Sequence, residues 1–479
     1  MKSYWFASAY LPGGWEKAVK ISVTERGYID AIAIGASPEG ATAFSGFALP
    51  GFPNIHSHAF QRAMTGLSEV TTSPKDTFWT WRNVMYQYAN AITPSDQTAI
   101  AAQLYMEMLK TGYTSVGEFH YLHHRPDGTS FDHPAEMSDA VITAAEQTGI
   151  GLTHLPVLYM SGDFGNAPLK PEQGRFFNKV EHFQRLLCGL SERLSTSASA
   201  RLGIAFHSLR AVPPEAIAET LTLLNQLDDT APIHIHVAEQ TLEVEACIRW
   251  SGRRPVEWLL EHCDIDNRWC LVHATHLNDG EIAGIATSGA VVGLCPTTEA
   301  NLGDGLFPMP AYLRQGGKFA IGSDSNTSVS PIEELRWLEY GQRLAHRQRN
   351  VINNNLNNNL NNSLNNNHNS NALNNNGTQH TARCLVDHAL ADGAAALGRR
   401  TGALAAGHLA DIIVLEETAP CLYAKPHQYL LDALVFSGNV NCVRDVLAAG
   451  KWVVTNYRHI CEDKITGDYF ASIKRLQKY

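Results

Sequence analysis

No apolar run in the sequence approaches the ~18 residues that a membrane-spanning helix requires. The cysteines are few, nine in all, and none forms a Cys-x-x-Cys pair. An odd, scattered set of this kind fits reduced thiols in the cytoplasm and argues against a disulfide framework. Basic residues are also short, 37 Lys and Arg against 47 Asp and Glu, for a formal charge of −10. That balance excludes a general nucleic-acid or anionic-membrane surface, while leaving room for a local cationic pocket. The opening segment MKSYWFASAYLPGGWEKAV has none of the continuous apolar character of a signal peptide. These absences together predict a soluble, cytoplasmic protein that binds neither nucleic acid nor membrane.

The 479 residues are 44% apolar and 18% charged, ordinary for a soluble globular enzyme and enough to bury a large core. Residues 1–49 alternate short apolar stretches with Gly-containing turns, as in VKISVTERGYIDAIAIG, and predict antiparallel β structure. From residue 50 to about 350 the texture changes. Short β-rich runs recur: TSVGEFHY (114–121), GLTHLPVLYM (151–160), RLGIAFHSLRAV (201–212), PIHIHVAEQ (232–240), WCLVHATHL (269–277), GAVVGLCPTT (289–298) and KFAIGSDSN (318–326). Segments with helical periodicity, such as TAIAAQLYMEMLKTG and PEAIAETLTLLNQL, separate most of them. With the strand expected just before residue 56, the count reaches eight, the number of a (β/α)8 TIM-like barrel. Residues 351–380 hold an Asn-dominated tract whose composition predicts disorder, since three spaced leucines cannot offset the ordering entropy. A return helix to the barrel is expected over 381–400. Residues 401–479 are β-rich again, and are expected to join 1–49 in one small β-sandwich domain.

The stretch PGFPNIHSHAFQR, residues 50–62, places His56 and His58 one residue apart. Side chains at i and i+2 of a strand share a face, so the two imidazoles would converge, as zinc ligands do. A His-x-His pair alone is weak evidence in a chain with 21 histidines. Functional side chains of a barrel sit at the C-terminal strand ends, and those positions supply more candidates. The run HIHVAEQ carries His234, His236 and Glu239; LVHATH carries His273; GSDS carries Asp324. A lone strand histidine is usually a satisfied core residue, and an Asp after a strand often caps a helix. Four strand ends bearing ligand-type residues are harder to dismiss.

His-x-His on the first strand, His-x-x-Glu on the fifth, His on the sixth and Asp on the eighth resemble the metal-dependent amidohydrolase superfamily in its mononuclear deaminase branch. The flanking GHLADIIVLE run resembles that branch's split β-sandwich. Within the branch, PGFPNIHSHAFQRAM, FWTWR, EFHYLHH, HSLRAVPP and HIHVAEQ resemble the formimidoylglutamate deiminases of histidine degradation. The likeness covers the chain except the Asn-rich tract.

The resemblance implies one Zn2+ per chain, with iron or manganese as possible substitutes. His56, His58, His236 and Asp324 would bind it, leaving a position open for water, whose pKa such a metal lowers to about 7. Binuclear members use a lysine on the fourth strand; IAFHSLR has His207 there and no lysine, which favours one metal. By the same resemblance Glu239 shuttles a proton to the leaving nitrogen, and His273 and Asp324 complete the catalytic set. Glu239 lies three residues past His236, so strand alternation alone would face it away from the site. His234 and His276 are read as structural. Arg82 and Arg210 would grip two substrate carboxylates, with Gln61, Tyr121 and His207 completing a polar wall. The implied substrate is a small dicarboxylate, N-formimidoyl-L-glutamate, hydrolysed to N-formyl-L-glutamate and ammonia, and the implied assembly is a homodimer. Two rivals stand beside this reading: a related deaminase acting on guanine or another heterocycle, and a barrel retained as a non-catalytic scaffold.

Overall fold

The structure, a computed structural model, describes residues 1–70, 78–197, 199–353 and 380–477. The Asn-rich tract lies outside the described residues, so the expectation made for it has no structural counterpart.

The two ends of the chain meet in one eight-stranded sheet. Its strands are β1 (Lys2–Leu11), β2 (Gly14–Val23), β3 (Ile29–Ala33) and β4 (Thr42–Pro50) from the N-terminal segment. The C-terminal segment adds a second set: Ile412–Leu415, Val443–Ala448, Lys451–Thr455 and Arg458–His459. The junction between them is antiparallel, with Leu49 opposite Ile413 and Ala48 opposite Val414. Tyr4 and Trp452 sit four strands apart in this sheet. In a flat sheet that would separate them by ~19 Å. Their ring centroids are 5.5 Å apart. The predicted sandwich is therefore a single sheet curled around its own core of Phe6, Val19, Ile21, Ile412, Val414 and Leu447.

The larger sheet is parallel and holds the expected barrel. Its strands are β5 (Phe52–Ser57), β6 (Tyr113–His120), β7 (Gly151–Leu158), the short pair β8 (Ala200–Leu202) and β9 (Ile204–Phe206), β10 (Ile233–Val237), β11 (Trp269–His273), β12 (Val291–Leu294) and β13 (Lys318–Ile321). They run in chain order from β5 to β13, with β8 and β9 together forming the fourth stave. The cylinder closes just past β13, where the amides of Ser323 and Asp324 donate to the carbonyl of His56 at 3.1 and 2.9 Å. The amide of His58 returns a bond to the carbonyl of Asp324 at 3.0 Å. Gly322 permits this approach: a Cβ there would lie 2.8 Å from the Cβ of His56.

The strands stop earlier than their apolar composition suggests. RLGIAFHSLRAV reads as one long strand, yet it is broken at Gly203, where a Cβ would meet Leu155 and the Pro232 carbonyl at 2.7 Å. Beyond Phe206 it turns, with the amides of Ala211 and Val212 both donating to the Ser208 carbonyl at 3.1 Å. Leu209, Ala211 and Val212 are buried under that turn, so the run is apolar without being extended. The truncated ends of β9, β10, β11 and β13 supply the loops that build the site.

Candidate metal centre and substrate cleft

His56, His58 and His236 converge as their strands predict: their candidate ligand atoms all lie within 4.8 Å of one another. The ring of His58 is fixed through Nδ1, 2.9 Å from the Phe119 carbonyl, and that of His236 through Nδ1, 3.0 Å from the His207 carbonyl. A carbonyl can only accept, so each Nδ1 carries the proton and each Nε2 presents a lone pair. The Nε2 of His236 and that of His56 approach to 3.0 Å. Asp324 Oδ1 stands 3.5 Å from His56 Nε2 and 3.3 Å from His58 Nε2. Burial pushes His56 down to about 3 and holds His236 well below the ordinary histidine range, so both are neutral. The Nε2 lone pairs of His58 and His236 and the Asp324 carboxylate face one point, acceptor against acceptor, an arrangement that a cation relieves. The donor set thus fits a divalent metal of the borderline-soft class.

The backbone explains how neighbours that strand alternation would turn away reach the same pocket. Ala238, His273, Ala274, Asp324 and Asn326 all have positive φ, between 46° and 66°. Such conformations cost about 1–3 kcal/mol each in a residue with a side chain and persist only where the surroundings enforce them. Ala238 makes the bend that brings Glu239 into the site. The carboxylate of Glu243 holds that bend by accepting from the amides of Ala238 and Glu239 at 3.3 and 3.1 Å. Asn326 holds the other side: its amide donates to the carbonyls of Asp324 and His58 at 2.9 and 3.1 Å.

His273 stands between three carboxylates. Its Nδ1 lies 3.3 Å from Glu299, while Nε2 lies 3.8 Å from Glu239 and 3.7 Å from Asp324. Burial alone would lower its proton affinity, but the carboxylates, Glu239 foremost, outweigh it and push the imidazole up to about 10. Desolvation raises Glu239 to about 7. Burial raises Asp304 to about 9, and this carboxyl joins Glu239 and His273 within 4.8 Å. Sequence reasoning missed Glu243, Glu299 and Asp304. Only the N-terminal position of Glu299 in the helix after β12 offered a signal, and a capping role accounts for it equally well.

A cleft opens over these groups. Every residue expected on its wall is there: Gln61, Arg82, Tyr121, His207 and Arg210 all line it. Gln61 donates to the Tyr121 hydroxyl at 2.9 Å, orienting both. Arg210 is buried and Arg82 lies 5.6 Å from the centroid of the Tyr86 ring. Trp81, Met85, Tyr86, Tyr159 and Phe176 add an aromatic and apolar side that the sequence did not reveal. His234, read as structural, donates from Nε2 to the Ala396 carbonyl at 2.8 Å and does not line the cleft. His276 lines a neighbouring groove instead.

A model of the amidohydrolase family matches residues 47–453, most of the chain. The chain belongs to the amidohydrolase family. Among its relatives is the formimidoylglutamate deiminase of Pseudomonas aeruginosa, 47% identical over 97% of this chain and 97% of that protein. An amidohydrolase from Brucella melitensis superposes with a TM-score of 0.89 at 41% identity, covering 100% of both chains. The fold alone is shared with an adenosine deaminase from Xanthomonas campestris solved with bound zinc, TM-score 0.78 at 20% identity over 100% of this chain and 98% of that one. This amidohydrolase is thus a homologue of formimidoylglutamate deiminase and a hydrolase by family. Among the described residues, no helix is long and apolar enough to cross a membrane.

Proposed function

We propose that this amidohydrolase is a zinc-dependent deiminase that hydrolyses N-formimidoyl-L-glutamate to N-formyl-L-glutamate and ammonia, a step of histidine degradation. The observation that carries the reading is the presence of two guanidinium groups, Arg82 and Arg210, in the same cleft as the His/Asp cluster. A dianionic amino-acid derivative uses both; a neutral purine needs neither. The 47% identity to a protein of that activity supports the same substrate.

His56, His58, His236 and Asp324 would hold one zinc ion. Zinc bound there would supply a nucleophilic water at neutral pH and polarise the group under attack. The chain's own residues do the rest. Glu239 relays two protons: that of the attacking water passes to the imino nitrogen as the oxygen adds to the amidine carbon, and that of the new hydroxyl passes to the same nitrogen as the tetrahedral carbon collapses, the C–N bond breaks, the formyl C=O forms and ammonia leaves. His273, anchored by Glu299, presents Nε2 toward Glu239 and Asp324, where negative charge develops on the tetrahedral carbon's oxygen. Arg82 and Arg210 hold the two carboxylates, and Gln61, Tyr121 and His207 orient the amidine.

The domain division at 49/50 and 400/401 belongs to the same proposal, supported by β4 and Ile412–Leu415 sharing the terminal sheet while β5 begins the barrel. A cytoplasmic location is supported by cysteines that are all free thiols. A homodimer is supported by Trp337, Tyr340 and Leu344, exposed at i, i+3 and i+7 on the helix Pro331–His346. The deciding experiment is ammonia release from formimidoyl-glutamate against guanine, with metal content measured on the same preparation. Turnover of guanine and none of formimidoyl-glutamate would refute the substrate assignment.

A further inference from the structure

Arg175 is fully buried, and among the described residues no carboxylate lies within ion-pair distance of it. It sits in the loop after β7, between the turn Pro171–Gln173 and the helix Val180–Leu194. Its guanidinium is spent on backbone carbonyls: Nη1 donates to Ala89, Nη2 to Ile92 at 2.7 Å, and Nε to His124 at 3.0 Å. Its own carbonyl accepts from the amides of His123 and His124 at 3.2 and 3.1 Å.

The Ala89 carbonyl lies in the last turn of the helix Phe78–Ala91, which carries Arg82, and the Ile92 carbonyl belongs to the residue just past its end. The last carbonyls of a helix have no donor within it and lie at the negative end of its dipole, so a buried cation there satisfies both needs. The third carbonyl, His124, follows directly on the segment that delivers Tyr121 to the cleft wall. The same loop adds a second tie, since Gln173 donates to the Tyr159 hydroxyl at 2.6 Å and reaches that of Tyr86, on the Arg82 helix, at 3.5 Å. One side chain thus couples the Arg82 helix to the strand end bearing Tyr121, ~10 Å along the helix from Arg82 itself at 1.5 Å per residue.

We propose that Arg175 positions the Arg82 helix and thereby sets the affinity for a carboxylate-bearing substrate without touching it, an inference that rests on the reading of Arg82 above. Arg175→Met should raise KM for formimidoyl-glutamate about tenfold, with kcat within about threefold and metal content unchanged. In an Arg82→Met background the same change should add less than about twofold, because residues acting through one another are non-additive. Arg175→Lys, which keeps the charge and can reach some of the carbonyls, should give an intermediate KM and stands in if the methionine variant does not fold. Hydrogen exchange on the substrate-free enzyme should show protection lost over residues 83–91 by about tenfold or more, with the barrel strands unchanged. Additive losses in the double variant, or unchanged exchange in that helix, would overturn the proposal. A parent enzyme inactive on formimidoyl-glutamate would overturn the substrate reading instead, while the exchange result still decides whether Arg175 holds the helix.

Discussion

Glu239 and His236 are three residues apart and have different proposed roles, and substitution separates them. His236 contributes a lone pair to the convergent cluster, whereas the carboxylate of Glu239 reaches His273 at 3.8 Å and lies outside that cluster of three imidazoles. His236→Ala should abolish stoichiometric metal. Glu239→Gln should keep it and lower kcat by about 10² to 10⁴, the usual worth of general acid–base help. Metal per chain and kcat on both variants check this, and a metal-free Glu239 variant would reassign it as a ligand. Arg210 tests the substrate. It is buried, so a bound carboxylate left without it is poorly solvated, which costs about 3–5 kcal/mol when a desolvated pair is broken. Arg210→Met should lower kcat/KM for formimidoyl-glutamate by about two to three orders of magnitude, with metal unchanged, at 1.4 kcal/mol per decade and some solvent access. An uncharged formamidine should be a poor substrate for parent and variant alike; equal losses on both substrates would make Arg210 structural.

The elements that build the centre are held by polar staples at the seam between β5 and β13. Asn54, Ser323 and Asn326 are fully buried and bonded in a chain: Asn54 to the Ser323 hydroxyl at 2.7 Å, and that hydroxyl to Asn326 at 2.6 Å. Asn326 then fixes the backbone of both His58 and Asp324. Removing an outer support of this kind typically costs 10–100-fold in metal affinity. Asn326→Ala should therefore weaken zinc binding by about 10–100-fold in a chelator competition, without loss of any ligand. The Asn-rich tract is the opposite case. Its few leucines among asparagines offer little apolar surface to bury, and none of its residues carries a proposed role. Deleting residues 354–376 should leave kcat/KM for formimidoyl-glutamate within about threefold of the parent. An inactive but metal-loaded deletion variant would show that the tract shapes the cleft.

For the whole molecule, the consequential groups are histidines buried away from the cleft. Desolvation lowers His123 and His154 to about 3 and His234 to about 4, and holds His120 well below its ordinary range. The unfolded chain protonates them near pH 6.5, so it binds more protons than the fold below that value. Their contribution to stability is complete above about pH 6.5 and is lost as the pH falls toward their depressed values. Two buried carboxyls act in the other direction. Desolvation raises Glu118 to about 8 and Glu334 well above its ordinary range, so their contribution is present at low pH and declines as pH rises from the unfolded value near 4.5. Four histidines outweigh two carboxyls between pH 5 and 6, and the order reverses above about 7. The Tm should thus peak near neutrality and fall on both sides, with the acid limb flattened in His154→Asn. A Tm constant between pH 5 and 7 would contradict the burial of these rings as charge-excluding.

The barrel was legible because β-rich runs alternating with helical periodicity repeat eight times, and period is a local property of a chain. The His56/His58 pair was legible for the same reason: two residues apart on one strand share a face. Family motifs in the sequence supplied the rest of the proposed ligand set, His236 and Asp324, and the two arginines, and the tertiary structure brings these four to one cleft. What no local pattern could provide was the bend at Ala238 that rotates Glu239 inward, since a positive φ in alanine is imposed by partners such as Glu243 and not preferred by the residue. The same limit hid Glu299 and Asp304, whose carboxylates come from a different strand end, and Arg175, which meets the Arg82 helix at Ala89 across 86 positions of chain. Sequence by itself determined which elements form and which residue types stand at their ends. Only the folded chain decided which of those ends face one another, because distances between strand termini depend on barrel closure and not on spacing along the backbone.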